Sequence, residues 1–202
     1  MPTHTSPTVP THTPRPSPTI TSTNTPVPAY TPSPAPIPTP TPFPTPLPDA
    51  YTSFNAGKKH LFAGEYDSAI MEFSNAIQSD PGYSGAYYYR GIAFIDTGQT
   101  LNALKDYDKA IQLAPNNASI HESRGFAHAI LGQHERALED YDKAIQLEPE
   151  SVTVYARRAA AYYGLAKYRQ AIREFDRAIQ LDPNNNALLH DLEDLAHAED
   201  LT

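Results

Sequence analysis

The 202-residue chain contains no cysteine and no tryptophan. Without a thiol there is no disulfide framework, no zinc ribbon or four-cysteine cluster and no cysteine nucleophile, and either redox compartment is compatible. No stretch approaches the roughly 18 consecutive apolar residues of a membrane-spanning helix, so no direct membrane insertion is expected. Positive charge is in deficit too: 23 acidic residues against 15 Lys and Arg give a net charge of −8. Neither nucleic acid nor an anionic membrane surface finds a basic patch on such a chain, and both are set aside as partners. There is no His-Glu-x-x-His, no Gly-x-Ser-x-Gly and no phosphate-cradling glycine loop. Catalysis, a cofactor and a resident metal are therefore not expected.

Proline is abundant and unevenly spread. Of 21 prolines, 17 fall within residues 1–50, beside 13 threonines and four serines, with only Arg15 and Asp49 charged. Proline fixes φ at about −65° and pushes the residue before it toward extended backbone, so helix is excluded there. Few apolar side chains are present to offset the entropy of ordering, and residues 1–49 are expected to be a disordered Pro/Thr-rich linker with polyproline II bias. At ~3.1 Å per residue it spans up to roughly 150 Å. Its threonines suit the O-glycosylation of exported linkers, yet the Met1 region lacks the apolar stretch of an export signal. Two compartments stay open: cytoplasm if the chain is complete, cell surface or secretion if a signal precedes it.

The remaining prolines, Pro81, Pro115, Pro149 and Pro183, stand 34 residues apart. A fixed period of this length marks a repeat architecture. It divides the chain into blocks 50–83, 84–117, 118–151 and 152–185. Twelve residues before each proline stands an alanine (Ala69, Ala103, Ala137, Ala171) and eight before stands an aromatic (Phe73, Tyr107, Tyr141, Phe175). Five before is alanine again (Ala76, Ala110, Ala144, Ala178), and twenty-four before is a small residue (Gly57, Gly91, Gly125, Ala159). The octapeptide Asp106–Leu113 recurs unchanged at 140–147. Apolar spacing of three and four residues predicts two amphipathic helices per block, broken near Gly64, Gly98, Gly132 and Ala166. The small residues let two helix backbones approach closely, with the aromatic filling the space beside them. Gln133 is expected to face solvent. No block can bury its apolar face alone, so neighbours must stack.

This pattern resembles the tetratricopeptide repeat family over residues 50–185, and the Tyr-Arg-Gly-x-Ala wording resembles a bacterial subtype. The chain departs from the family at the fourth position, where Trp is replaced by Ser53, Tyr87, His121 and Tyr155. It departs at the seventh as well, with Ala56, Arg90, Arg124 and Arg158 in place of Leu. The resemblance implies an all-α, right-handed α-solenoid of four helix-turn-helix repeats. It also implies a capping helix over 186–201, on which Leu188, Leu192 and Leu195 form an apolar stripe.

His121 and His128 take positions that hold aromatics in neighbouring repeats, and are read as packing substitutes rather than metal ligands. Arg90, Arg124 and Arg158 recur in three successive repeats. A feature demanded by every copy serves the scaffold, most simply an ion pair with Asp106/Asp108, Asp140/Asp142 and Glu174/Asp176 respectively. Specificity belongs instead to positions that differ between copies.

In the family, first helices line a concave groove through positions 2, 5, 9, 12 and 13. Here that implies a groove of Phe54 and Lys58, then Tyr88, Ile92 and Asp96. It continues with Glu122, Phe126 and Ile130, then Ala160 and Tyr163, with Arg157 beside them. Exposed apolar side chains of this kind mark binding surfaces. The implied function is a protein–protein interaction module, an adaptor or assembly scaffold holding a partner peptide or helix in the groove. The alternatives are a self-associating structural module and an accessory domain of a larger exported protein or enzyme. The family's clamp for the acidic C-terminal tails of heat-shock chaperones is not matched. Repeats one to three offer Phe54, Lys58, Tyr89, Ser119 and Ser123 at its positions, and repeats two to four offer Tyr88, Ile92, Ser123, Thr153 and Arg157. Such tails are therefore excluded as ligands.

A linker that contributes no core predicts that deleting residues 1–50 leaves the helical content and thermal midpoint of the remainder unchanged. A midpoint lower by several degrees would assign those residues a part in the fold.

Overall fold

The computed structural model describes residues 49–185. The linker before Asp49 and the expected capping helix, with His190 and His197, lie outside the described residues. Eight helices follow one another: α1 (Ala50–Phe62), α2 (Tyr66–Ser79), α3 (Ser84–Asp96), α4 (Thr100–Leu113), α5 (Ala118–Ile130), α6 (His134–Leu147), α7 (Val152–Gly164) and α8 (Tyr168–Leu181). Among the described residues there is no strand, and no helix is long and apolar enough to cross a membrane. Each helix packs on the next, and α1 touches α3, α3 touches α5 and α5 touches α7. The odd-numbered helices thus form the closer-packed layer of an all-α solenoid.

Local chemistry sets the boundaries. Asp49, counted with the linker in the sequence, is the N-cap of α1: its carboxylate accepts from the Thr52 backbone N–H at 2.9 Å and the Thr52 hydroxyl at 2.7 Å. A truncation that tests the linker alone must keep it, since losing such a cap costs about 1 kcal/mol. Asn117 caps α5 through Ser119 at 3.1 Å. Between the helices of each pair the backbone turns through the left-handed region at Gly64, Gly98 and Gly132. In the fourth pair Ala166 does so at φ 55°, a conformation that costs a residue with a Cβ about 1 kcal/mol.

The helices of a pair meet where a ring lies on bare backbone. A Cβ added to Gly57 would sit 2.6 Å from the Phe73 ring, one on Gly91 2.5 Å from Tyr107, and one on Gly125 2.8 Å from Tyr141. These rings are 0 to 1 % exposed, and the alanines twelve and five residues before each proline are fully buried beside them. In the fourth pair Ala159 supplies a Cβ, and its ring, Phe175, is 7 % exposed.

An arginine ladder joins successive pairs. Arg90 donates to Asp106 at 2.7 and 2.8 Å and to the Ser74 hydroxyl at 2.9 Å. Arg124 grips Asp140 with bonds as short as 2.6 Å and reaches back to Asp108 of the preceding repeat at 2.7 Å. Arg158 holds Glu174 and reaches back to Asp142, both at 2.6 Å. The structure therefore corrects half of the expected pairing. One acid belongs to the arginine's own repeat; the other belongs to the repeat before it, with Ser74 of repeat one standing in for it at Arg90. His121 fills an aromatic's place and an aromatic's hydrogen bond. Its Nε2 donates to the Pro115 carbonyl at 2.9 Å, as the Tyr155 hydroxyl does to Pro149 at 3.2 Å.

Gln133 is not the bystander its place in the turn implied. Its side-chain oxygen meets His128 Nδ1 at 2.9 Å and accepts from Arg136 at 3.2 Å, so it braces the start of α6. Exposed Gln112 is the proper reference site. Gly125→Leu or Ala144→Leu is expected to cost 1–3 kcal/mol or more by overpacking, about the upper range for such insertions. Gln112→Leu is expected to be near neutral in the same denaturant titration. Equal losses at all three sites would overturn the helix-pair register.

Candidate functional site

The layer of odd-numbered helices presents one side chain after another along a shared face. Phe54 forms its floor rather than its surface: it is buried against Phe73, Tyr83 and Tyr89, with ring centroids 4.7–5.9 Å apart. Lys58 lies across this floor, its ammonium 5.4 Å from the Phe54 ring and 5.7 Å from Tyr89. Tyr88 is half-buried, and its burial pushes the phenol up. Ile92 packs on the first core cluster, and Asp96 is exposed at the end of α3.

Three exposed apolar side chains of this layer stand on α5 and α7. Phe126 is 36 %, Ile130 48 % and Tyr163 51 % exposed. Between the two helices a notch of about 330 Å³ opens, walled by Phe126, Ala129, Ile130, Tyr141, Ala160 and Ala161, with His134 and Arg157 at its polar edge. Arg157 crosses from α7 to lie on the Phe126 ring, its guanidinium carbon 4.4 Å from the centroid, and pairs with Glu122 at 3.4 Å. Glu122 is half-buried; burial raises its carboxyl above the ordinary range, Arg157 opposes that rise, and Glu148 adds to it. The Nδ1 of His134 is buried with no hydrogen-bond partner among the described residues.

Of the residues expected from the sequence, Glu122, Phe126, Ile130, Arg157 and Ala160 converge around this notch. Tyr163 stands farther along α7, its ring tilted against Tyr168 with centroids 5.6 Å apart. Lys58 and the buried Phe54 belong to the other end of the layer. Two exposed aromatics were missed, Phe62 at 76 % and Tyr51 at 68 %. They occupy positions 13 and 2 of the first repeat, so the register that selected Asp96 and Ile130 contained them. Among the described residues no cluster of His, Asp and Glu is arranged to hold a metal.

The arrangement is that of one helix pair repeated four times. The TPR repeat family model matches residues 93–132 and 128–165, and the tetratricopeptide repeat model matches 152–185. The chain belongs to the tetratricopeptide repeat family. Solved structures share its fold. MamA (residues 41 to its end) from Desulfovibrio magneticus RS-1 superimposes with a TM-score of 0.71 at 21 % identity, covering 75 % of this chain and 85 % of that one. Pseudomonas aeruginosa pilF gives 0.69 at 22 %, covering 74 % and 68 %. The first tetratricopeptide domain of Spaghetti, bound to the HSP90 peptide SRMEEVD, gives 0.55 at 25 %, covering 57 % and 91 %. No curated protein sequence matches the chain. Tetratricopeptide repeats generally mediate protein–protein interaction and bind protein or peptide partners, and the fold is typically a non-catalytic scaffold.

The raised Glu122 carboxyl has a consequence for stability. A carboxyl whose folded pKa exceeds its unfolded one holds its proton more tightly when folded, so its ionisation works against folding. Its favourable contribution is present below the unfolded value and is lost as pH rises through the folded one. Glu122→Gln is therefore expected to be more stable than the parent at neutral pH and to lose that advantage below about pH 4. Urea midpoints at both pH values check this. A parent more stable than the variant at neutral pH would mean that the Arg157 pair outweighs burial.

Proposed function

We propose that the chain is a non-catalytic adaptor or assembly module that holds a partner peptide or helix along the face of its odd-numbered helices, centred on the notch between α5 and α7. The observation that supports this most is Phe126. It stands out of the core on a helix whose neighbouring Gly125 and Ala127 are fully committed to packing, and it walls an apolar cavity already shaped between two repeats. Aromatic side chains in such pockets supply most of the energy of an interface, and helices in apolar grooves are a recurrent recognition mode. Tyr88 and Tyr163 extend the track on either side. Glu122 and Arg157 give it charges of opposite sign that orient a ligand.

The acidic tails of heat-shock chaperones do not fit this reading. The Spaghetti domain is bound to such a peptide in its own structure, whereas here the clamp positions carry Phe54, Tyr89, Ser119 and Ser123, with Lys58 laid on aromatic rings. Nucleic acid and membrane insertion are likewise outside it. Self-association is the second reading, favoured by the exposed Phe62 and Tyr51 near the start of the solenoid.

Phe126→Ala is expected to weaken partner binding at least tenfold, about 1.4 kcal/mol, while lowering the thermal midpoint by no more than a few degrees. The partner is first recovered with residues 49–202 as bait, and its affinity for parent and variant is then compared. Unfolding of the variant with binding per folded molecule intact would move Phe126 into the core and the ligand to another face.

A further inference from the structure

Charge is unevenly paired along the groove residues. Six of the groove's charged and aromatic groups fall into two sets: Lys58 is held on the Phe54 and Tyr89 rings, and Arg157 is held on Phe126 and paired with Glu122. Asp96 is the member left over. It is exposed at the end of α3 and makes no ion pair among the described residues. It ends α3, the helix that packs against α5, which carries Glu122 and Phe126. The centre therefore carries two carboxylates, Asp96 and Glu122, for one arginine, beside a notch with apolar walls. The bond between Arg157 and Glu122 is also loose. At 3.4 Å and without a hydrogen bond, it contrasts with the 2.6–2.8 Å bonds of the ladder arginines.

We propose that the groove selects a basic amphipathic segment of a partner protein. One apolar side chain of that segment enters the notch beside Phe126, and a lysine or arginine next to it supplies the counter-charge missing at Asp96 and Glu122. The proposal rests on the groove reading above and adds the ligand's charge to it. The protein displays the recognised chemistry itself, because Arg157 already shows a guanidinium accommodated on Phe126 and Glu122 together. An acidic segment would meet two carboxylates and find the groove's cations already engaged with rings. The net charge of −8 adds long-range attraction for a base.

Three fluorescently labelled, amidated peptides test this by fluorescence polarisation on the full chain: an amphipathic leucine–lysine helix, its leucine–glutamate counterpart and its serine–lysine counterpart. The leucine–lysine peptide is expected to bind at least tenfold more tightly than either other peptide. The Asp96→Asn/Glu122→Gln double variant is expected to reduce that affinity about tenfold. A control pair on the even-numbered helices, Glu135→Gln/Asp176→Asn, removes the same charge and is expected to change it little. Thermal midpoints of all variants confirm folding. Tighter binding of the leucine–glutamate peptide, or equal losses in both double variants, overturns the basic-ligand proposal. If Phe126→Ala still weakens binding in that case, the groove reading stands; if Phe126→Ala has no effect on any peptide, the groove reading itself fails.

Discussion

The contact on which the rest depends is a ring packed directly against a helix backbone that has no side chain at that point. Phe73 on Gly57, Tyr107 on Gly91 and Tyr141 on Gly125 bring the two helices of the first three pairs to a separation that no Cβ would allow without movement of the ring. With that separation fixed, the alanines of the second helix become the residues that fit, because anything larger would push the pair apart. The pair then exposes a second apolar face that only another pair can cover. Repetition follows from this packing: a unit built around so small a core is stable only as part of a stack.

The arginine ladder converts stacking into register. Each ladder arginine holds one acid of its own repeat and, from repeat three onward, one of the repeat before, so a shift of one pair along another breaks both bonds at once. Burying such charges adds little net stability, since desolvation consumes most of the Coulombic gain. Removing one partner is costly all the same, because a nearly buried Asp140 or Asp106 would be left uncompensated. The ladder therefore specifies how pairs meet more than it strengthens them. It also stops: Asp176 continues the acidic series on α8, but the residue 34 beyond Arg158 is Leu192.

The period, the helix pairs, the turns and the packing positions were legible in the sequence because each is written several times at constant spacing. The register also singled out Phe126, Ile130 and Tyr163 on first helices, and all three stand exposed. What the sequence could not supply were choices that linear spacing leaves degenerate. Arg124 stands 16 residues after Asp108 and 16 before Asp140, so spacing alone cannot say that it binds both. Phe54 occupies a groove position by register yet sinks beneath Lys58, because Tyr83 and Tyr89 close over it. The resting place of Arg157 depends on a long side chain choosing among rotamers, and a ring 31 residues away decides that choice.

Arg157 and Arg158 are adjacent in the chain and differ in almost everything else. One residue on a helix is a rotation of about 100°, enough to send one guanidinium into the ladder and its neighbour over the groove. Arg158 is fixed by carboxylates from two repeats at 2.6 Å. Arg157 rests on a ring and a loose pair, in a setting where moving away requires no hydrogen bond to be broken. The scaffold thus spends its strong, geometry-demanding bonds on one side of α7 and leaves weak, reversible contacts on the other. On the binding face proposed above, such contacts can be exchanged for those of a ligand while the arginine next door holds the helix in place.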